Sequence, residues 1–232
     1  MLANMALIIG AYLFGSLPFM LALGRAKGFD FTGEEDLHDA LWHQAGRLWG
    51  LAGVLVDIGK GIIPVLIGFG FNLPLAVVAA AGVAAVAGQM WPVFQKFDGE
   101  RGNSTGWGAV AALTLAYGAW PVLVIGAIPV ALGFGIRTVP RFIYSGETLN
   151  EKLKLGGPPS LSLPLGMAVG FAAAPLAALL FHQPFGMVLP LLALFVILIA
   201  RRLTAGLAAD LKGAEGVKSI LINRFLYDRS YL

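Results

Sequence analysis

Apolar residues fall in long unbroken stretches rather than at the spacing of a half-buried helix or strand. Leu2–Leu23 carries no charge, Leu48–Phe71 carries only Asp57 and Lys60, and Leu73–Phe94 carries none. Gly106–Ile136, Leu161–Phe181 and Pro184–Ala200 are also uncharged. A membrane-spanning helix needs about 20 mostly apolar residues, so each stretch predicts at least one span. Gly106–Ile136 is too long for one, and the Tyr117-Gly-Ala-Trp-Pro121 break predicts two short spans, or a re-entrant piece and a span. His182-Gln-Pro-Phe185 reads as a tight turn between the last two stretches. The pattern therefore predicts an all-α polytopic membrane protein with about seven transmembrane helices, in one domain over residues 1–232. Leu2–Leu23 lacks a preceding basic region and an A-x-A-like cleavage site, so it is expected to be a span rather than a signal peptide.

Composition agrees with the pattern. The chain is 58% hydrophobic and 12% charged, with a mean hydropathy of +0.80, against roughly 45–50% and about 25% in soluble domains. It has no Cys, which excludes disulfides, thiolate catalysis and Cys-based metal sites. A net charge of only +3 gives no reason to expect nucleic acid.

The placement of charge sets the orientation. With seven spans, segments 24–47, 95–105, 137–160 and 201–232 share one side and hold three, two, four and six Lys/Arg. Only Lys60 lies elsewhere, and of the acids only Asp57 does. Cytoplasmic loops retain basic residues, so the N-terminus is expected outside, the C-terminus cytoplasmic, and 201–232 a cytoplasmic interfacial tail. Polar chemistry confined to one face suits an enzyme or receptor at the inner leaflet better than a transporter.

Three segments carry candidate chemistry. Asp57 and Lys60, at i and i+3, can pair on one helical face, and intramembrane ionisable groups are usually functional. Gly59 and Gly61 flank Lys60 and would admit a close backbone or ligand. Residues 95–108 combine Gly99, Arg101, Gly102, Asn103, Ser104 and Thr105 just before an apolar helix. That composition could build a phosphate cradle from backbone amides, a helix N-terminus and a guanidinium. Residues 33–47 place Leu37, Leu41 and Ala45 on one face of a short amphipathic helix that Gly46 could end. Asp36, His38 and His43 stand there as candidate general bases, or as members of a solvated acidic face; no metal site is assigned.

Together these segments resemble the bacterial acyl-phosphate:glycerol-3-phosphate acyltransferases. The resemblance rests on Ala11-Tyr-Leu-Phe-Gly-Ser-Leu-Pro18 with Lys27-Gly-Phe-Asp30, and on Asp57-Ile-Gly-Lys-Gly-Ile-Ile-Pro-Val65, similar to the family's D-x-x-K-G-x-x-P. It also rests on Gly88-Gln-Met-Trp-Pro-Val-Phe-Gln-Lys-Phe97 with Gly99–Gly102, and on a weaker echo from Arg202 to Leu211-Lys-Gly-Ala-Glu215. Several positions depart: Gln89 replaces a histidine, Glu100 a glycine and Arg101 a lysine. Leu203 and Gly206 replace a His and an Asn, and the Gly-Ser-Gly-Asn loop is absent.

The resemblance implies a seven-span enzyme of the bacterial plasma (inner) membrane, with its active site facing the cytoplasm. It would move a fatty acyl group from acyl-phosphate to glycerol 3-phosphate, give lysophosphatidic acid and need no cofactor. Matching positions imply that Ser16, Asp57, Lys60, Gly99, Gly102 and Arg202 serve the substrates. Arg101 with Asn103, Ser104 and Thr105 would hold one phosphate, and Lys60, oriented by Asp57, the other. The base would be the phosphate itself or His38, His43 or Asp36. The expected partners are these two substrates and membrane lipids, with the protein a monomer or weak oligomer. A relative that has lost catalysis and binds lipid or a partner is the alternative.

Overall fold

The computed structural model describes residues 1–31, 37–144, 146, 161–213 and 216–228. It contains helices and no strand among the described residues. In order they are α1 (Leu2–Gly15), α2 (Phe19–Ala26), α3 (Leu37–Ala40, continued by a π turn over Leu41–Ala45), α4 (Arg47–Gly70) and α5 (Leu75–Met90). There follow α6 (Asn103–Ala116), α7 (Trp120–Tyr144), α8 (Ser162–Leu180), α9 (Phe185–Thr204), α10 (Leu207–Asp210) and α11 (Val217–Tyr227).

Six helical stretches are long and apolar enough to cross a membrane: Leu2–Ala26, Arg47–Gly70, Leu75–Gln95, Trp120–Ile143, Ser162–Leu180 and Phe185–Thr204. The expected break divides Gly106–Ile136 as anticipated, with α6 ending at Ala116, Gly118 at φ +70° and α7 starting at Trp120. The piece before it is short. At 14 residues and about 1.5 Å per residue, α6 falls short of the roughly 30 Å hydrocarbon core. Thr105, in its first turn, donates its hydroxyl to the Asp57 carbonyl at 2.8 Å. Asp57 lies ten residues into α4, about 15 Å of helical rise, so α6 begins level with Asp57 rather than with the first turn of α4. Within the Leu2–Ala26 stretch the helix is interrupted: α1 ends at Gly15 and α2 starts at Phe19, because Pro18 supplies no N–H to continue the ladder.

The end opposite the site is built from three similar caps. Leu73 N–H donates to Gly68 (3.0 Å), Ala119 to Thr114 (2.7 Å) and Gln183 to Ala178 (2.8 Å). Each such bond spans a left-handed residue, Asn72, Gly118 or His182, the pattern that closes a helix C-terminus on itself. Prolines 74, 121 and 184 then start the next helices, where a missing N–H costs nothing.

Large apolar side chains face outward from the spans, among them Leu55, Ile63, Leu132, Leu176 and Leu189. The interior is made largely of small residues with Val65, Val86, Val110, Phe171 and Leu198. In lipid, helices associate through such close packing rather than by hiding Leu. Gly61 lies against α6, where a Cβ would meet the Ala109 amide nitrogen at 2.6 Å and the Thr105 carbonyl. Gly108 sits reciprocally on the Ile58 backbone. The α4–α6 contact is thus backbone on backbone, and it fixes the level of Asp57 relative to the start of α6.

Candidate functional site

Asp57, fully buried on α4, is the centre of one ionic group. Lys60 Nζ lies 3.2 Å from its Oδ1, and His38 Nε2 lies 3.2 Å from its Oδ2. The first pair follows from i,i+3 spacing. Pro64 stands one turn further on and cannot donate to the Lys60 carbonyl, which leaves the ladder open beside the pair. His38 arrives from another part of the chain. Leu37 and Leu41 on either side of it are buried with Met20 and Phe31. This second small core docks residues 37–45 onto the glycines at the start of α4, Gly50 against Trp42 and Gly53 against Met20. The anticipated amphipathic helix is one α turn and one π turn, and Gly46 at φ +102° ends it as expected.

Glu100 completes the group, with Oε2 at 3.8 Å from His38 Nε2. Its N–H donates to the Gln89 carbonyl at 3.1 Å, as Gly99 N–H does to Met90 at 3.2 Å, so the loop is pinned to the end of α5. Burial, and then the nearby Asp57 charge, push its carboxyl up to about 7 against the pull of His38 and Lys60. Accessibility divides the four. Asp57 and Lys60 are shut in, whereas His38 and Glu100 are each about a quarter exposed. Lys60 therefore faces Asp57 and the Phe19 ring, 5.5 Å away, and any ligand would meet His38 and Glu100 first.

A second group stands beside it. Asp228, just past α11, lies 3.2 Å from Arg202 Nε and 3.6 Å from Arg101 Nε, and its Oδ2 accepts from Asn103 Nδ2 at 3.2 Å. Arg202 also donates to the carbonyls of Pro164 (2.8 Å) and Phe225 (3.1 Å), tying α9 to α8 and α11. Gly102, at φ +74°, precedes the first turn of α6, in which Ser104 is half-buried. Arg201 donates to Asp98 at 2.7 Å and to the Gly99 carbonyl, which holds the loop from the α9 side.

The remaining candidates take other places. Thr105 is fully buried and spends its hydroxyl on Asp57 O and on Gln89 Oε1, clamping α6 to α4 and α5. Ser16 is buried at the end of α1 and donates to the Tyr12 carbonyl at 2.8 Å. At Gly99 a Cβ would collide with the Gln89 carbonyl and Pro92, so this glycine serves loop packing. His43 is exposed on the π turn, outside the His38–Asp57–Glu100 group. Asp36 lies outside the described residues. His38, Asp57 and Glu100 each offer an atom within 4.8 Å of the others, a spacing that could hold a divalent ion. Lys60 already supplies a cation to Asp57, which makes them a poor set for one.

Reading the sequence passed over Glu100, Gln89, Arg201 and Asp228 as functional positions. Glu100 carried a signal, an acid where the resembled family has glycine. Asp228 carried none.

The sequence pattern describing glycerol-3-phosphate acyltransferases matches residues 5–140. A glycerol-3-phosphate acyltransferase of Geotalea daltonii is 38% identical over 133 residues, covering 56% of this chain and 66% of the relative. One from Geobacter sulfurreducens is 36% identical over 154 residues, covering 64% and 74%. Against the Geotalea daltonii and Glaesserella parasuis relatives the chain spans 66% and 61% of their length, just under two thirds. The crystal structure of PlsY, an integral membrane glycerol 3-phosphate acyltransferase in its lysophosphatidic acid form, superposes with a TM-score of 0.66. It does so at 22% identity over 95% of this chain and 99% of its own, and shares the fold.

Proposed function

Because the chain belongs to the glycerol-3-phosphate acyltransferase family, we propose that it transfers a fatty acyl group from acyl-phosphate to the 1-hydroxyl of glycerol 3-phosphate. The product is lysophosphatidic acid. The observation that carries this reading is the meeting, at one end of the bundle, of a buried Asp57–Lys60 pair, a half-open His38, and the Arg101 and Arg202 guanidiniums with the Asn103 amide. That end holds the basic loops and is the cytoplasmic one, in a bacterial plasma membrane.

Acyl-phosphate is a mixed anhydride with a good leaving group, so no covalent enzyme intermediate is needed. The protein supplies position and charge. The cations around Arg101 take a substrate phosphate. Lys60 acts from behind Asp57, neutralising a carboxylate that burial would otherwise make costly. Asp57 in turn holds the His38 ring. Of the base candidates among the described residues, His38 is the one beside this pair, and it takes the acceptor proton as the hydroxyl oxygen attacks the acyl carbon. The carbon–oxygen bond to phosphate breaks, and its electron pair leaves with the phosphate. The fatty chain lies among the small-residue faces of the spans.

The test is purified protein with palmitoyl phosphate and radiolabelled glycerol 3-phosphate. The expected result is labelled lysophosphatidic acid, with His38→Ala slower by about 10²–10⁴ while the protein still folds. Folded wild-type protein that forms no product overturns the reading.

A further inference from the structure

The group around Asp228 is an anion site with an anion already in it. Arg101 comes from the α5–α6 loop, Asn103 from the first turn of α6 and Arg202 from the end of α9, and all three converge on one carboxylate that is 8% exposed. Two guanidinium charges face one carboxylate charge, so one positive charge is left over. The α6 N-terminus behind Asn103 adds to that excess. The fit is also loose. Asp228 Oδ1 is buried without an aligned hydrogen bond, because its two guanidinium neighbours stand at 3.2 and 3.6 Å, the latter beyond hydrogen-bond length. The donors leave one carboxylate oxygen without an aligned hydrogen bond and carry more charge than the carboxylate neutralises. A phosphate monoester, with a charge of about −1.5 to −2 at pH 7 and three acceptor oxygens, matches both.

We propose that Arg101, Asn103 and Arg202 form a site for a phosphate dianion, that Asp228 fills it as an internal surrogate, and that the substrate phosphate enters by displacing Asp228. The proposal rests on the acyl-transfer reading only for which phosphate arrives. Asp228 is then a specificity residue. A monoanionic carboxylate gains nothing by replacing it, whereas a dianion satisfies the charge left over. Displacement is feasible because α11 holds to the bundle end through few polar ties here. Among the described residues these are the Arg202 bond to Phe225 and the Arg224 contacts with Asp210 and Ala205.

The experiment uses the full chain in detergent and inorganic phosphate as probe, with no turnover required. If the open form is about a tenth of the population, Asp228→Asn tightens phosphate binding about tenfold. Asp228→Glu, which keeps the charge, stays near wild type, and acetate binds none of them measurably. In the wild type, saturating phosphate speeds amide exchange along Val217–Tyr227. Asp228→Asn that is folded and binds phosphate no better, or more weakly, overturns the proposal. So does phosphate binding to wild type with unchanged exchange in α11, which decides the matter even if the variant does not fold. An inactive protein that shows both expected results refutes the acyl-transfer reading and leaves this one standing.

Discussion

Gly59 and Gly61 flank Lys60 on α4, and their environments differ completely. Around Gly59 the nearest atom to an added Cβ is Ile63 Cδ1 at 4.0 Å. At Gly61 the Cβ would collide with the Thr105 carbonyl, 2.6 Å from the Ala109 amide nitrogen. Backbone cannot swing aside as a side chain can. Carbon contacts are comfortable only at about 3.5–4.0 Å, so α4 and α6 must part by roughly 1 Å. Overpacking costs about 1–3 kcal/mol, and two backbone segments put Gly61→Ala near the upper end. For a chain of this size each kcal/mol moves the melting temperature about 2–4 °C, so Gly61→Ala should lower it by roughly 6–12 °C. The same displacement stretches the Thr105–Asp57 bond of 2.8 Å and moves Asp57, Lys60 and His38 relative to the α6 end. A misplacement of about 1 Å costs on the order of 10² in rate. Gly59→Ala should instead be neutral or gain up to about 1 kcal/mol of helix propensity. Thermal unfolding in detergent and kcat/KM on the two variants decide the point. Equal melting temperatures would refute the backbone-contact account, and so would a Gly61→Ala enzyme with wild-type kcat/KM.

Lys60→Met leaves Asp57 as a buried charge without its cation and should destabilise the protein by about 3–5 kcal/mol. Adding Asp57→Asn should restore much of the melting temperature but none of the activity, as a double-mutant thermal cycle would show. Arg101→Ala should raise KM for the phosphate-bearing substrate at least about tenfold, since charged hydrogen bonds contribute roughly 1.5–3 kcal/mol, while the protein stays folded; unchanged kinetics would remove Arg101 from the cradle. Glu100 gives a pH prediction. Its folded carboxyl titrates near 7 rather than 4.5, so between those values the native state holds a proton that the unfolded chain has released. That preference stabilises the fold below the lower value and is lost as pH rises through the interval. Glu100→Gln should therefore gain melting temperature over wild type progressively from about pH 5 to pH 8; a constant difference would show that the site does not hold the proton.

What could be read in advance depended on how far apart the partners lie in the chain. The apolar stretches, the break at 117–121 and the Asp57–Lys60 pair are local patterns; the break and the pair appear where their spacing places them, and six helical stretches are long and apolar enough to cross a membrane. His38 stood among equals, since the residue that distinguishes it from His43 is Asp57, on a helix that a separate small core of Met20, Phe31 and Leu41 brings alongside. The Pro18 break was visible but outweighed by the continuous apolar run around it. Asp228 offers no local sign at all: its partner Asn103 is 125 positions away, and the contact exists only because α9 and α11 return to the end of the bundle where α6 begins. The two glycines beside Lys60 state the physical limit most clearly. In the sequence they are equivalent, both apt for close approach. Interhelical register turns Gly61 onto the α6 backbone and leaves Gly59 with nothing nearer than Ile63 among the described residues. That register is set by tertiary packing, by Gly108 on the opposite helix as much as by Gly61 itself, so no window of residues 57–65 contains it.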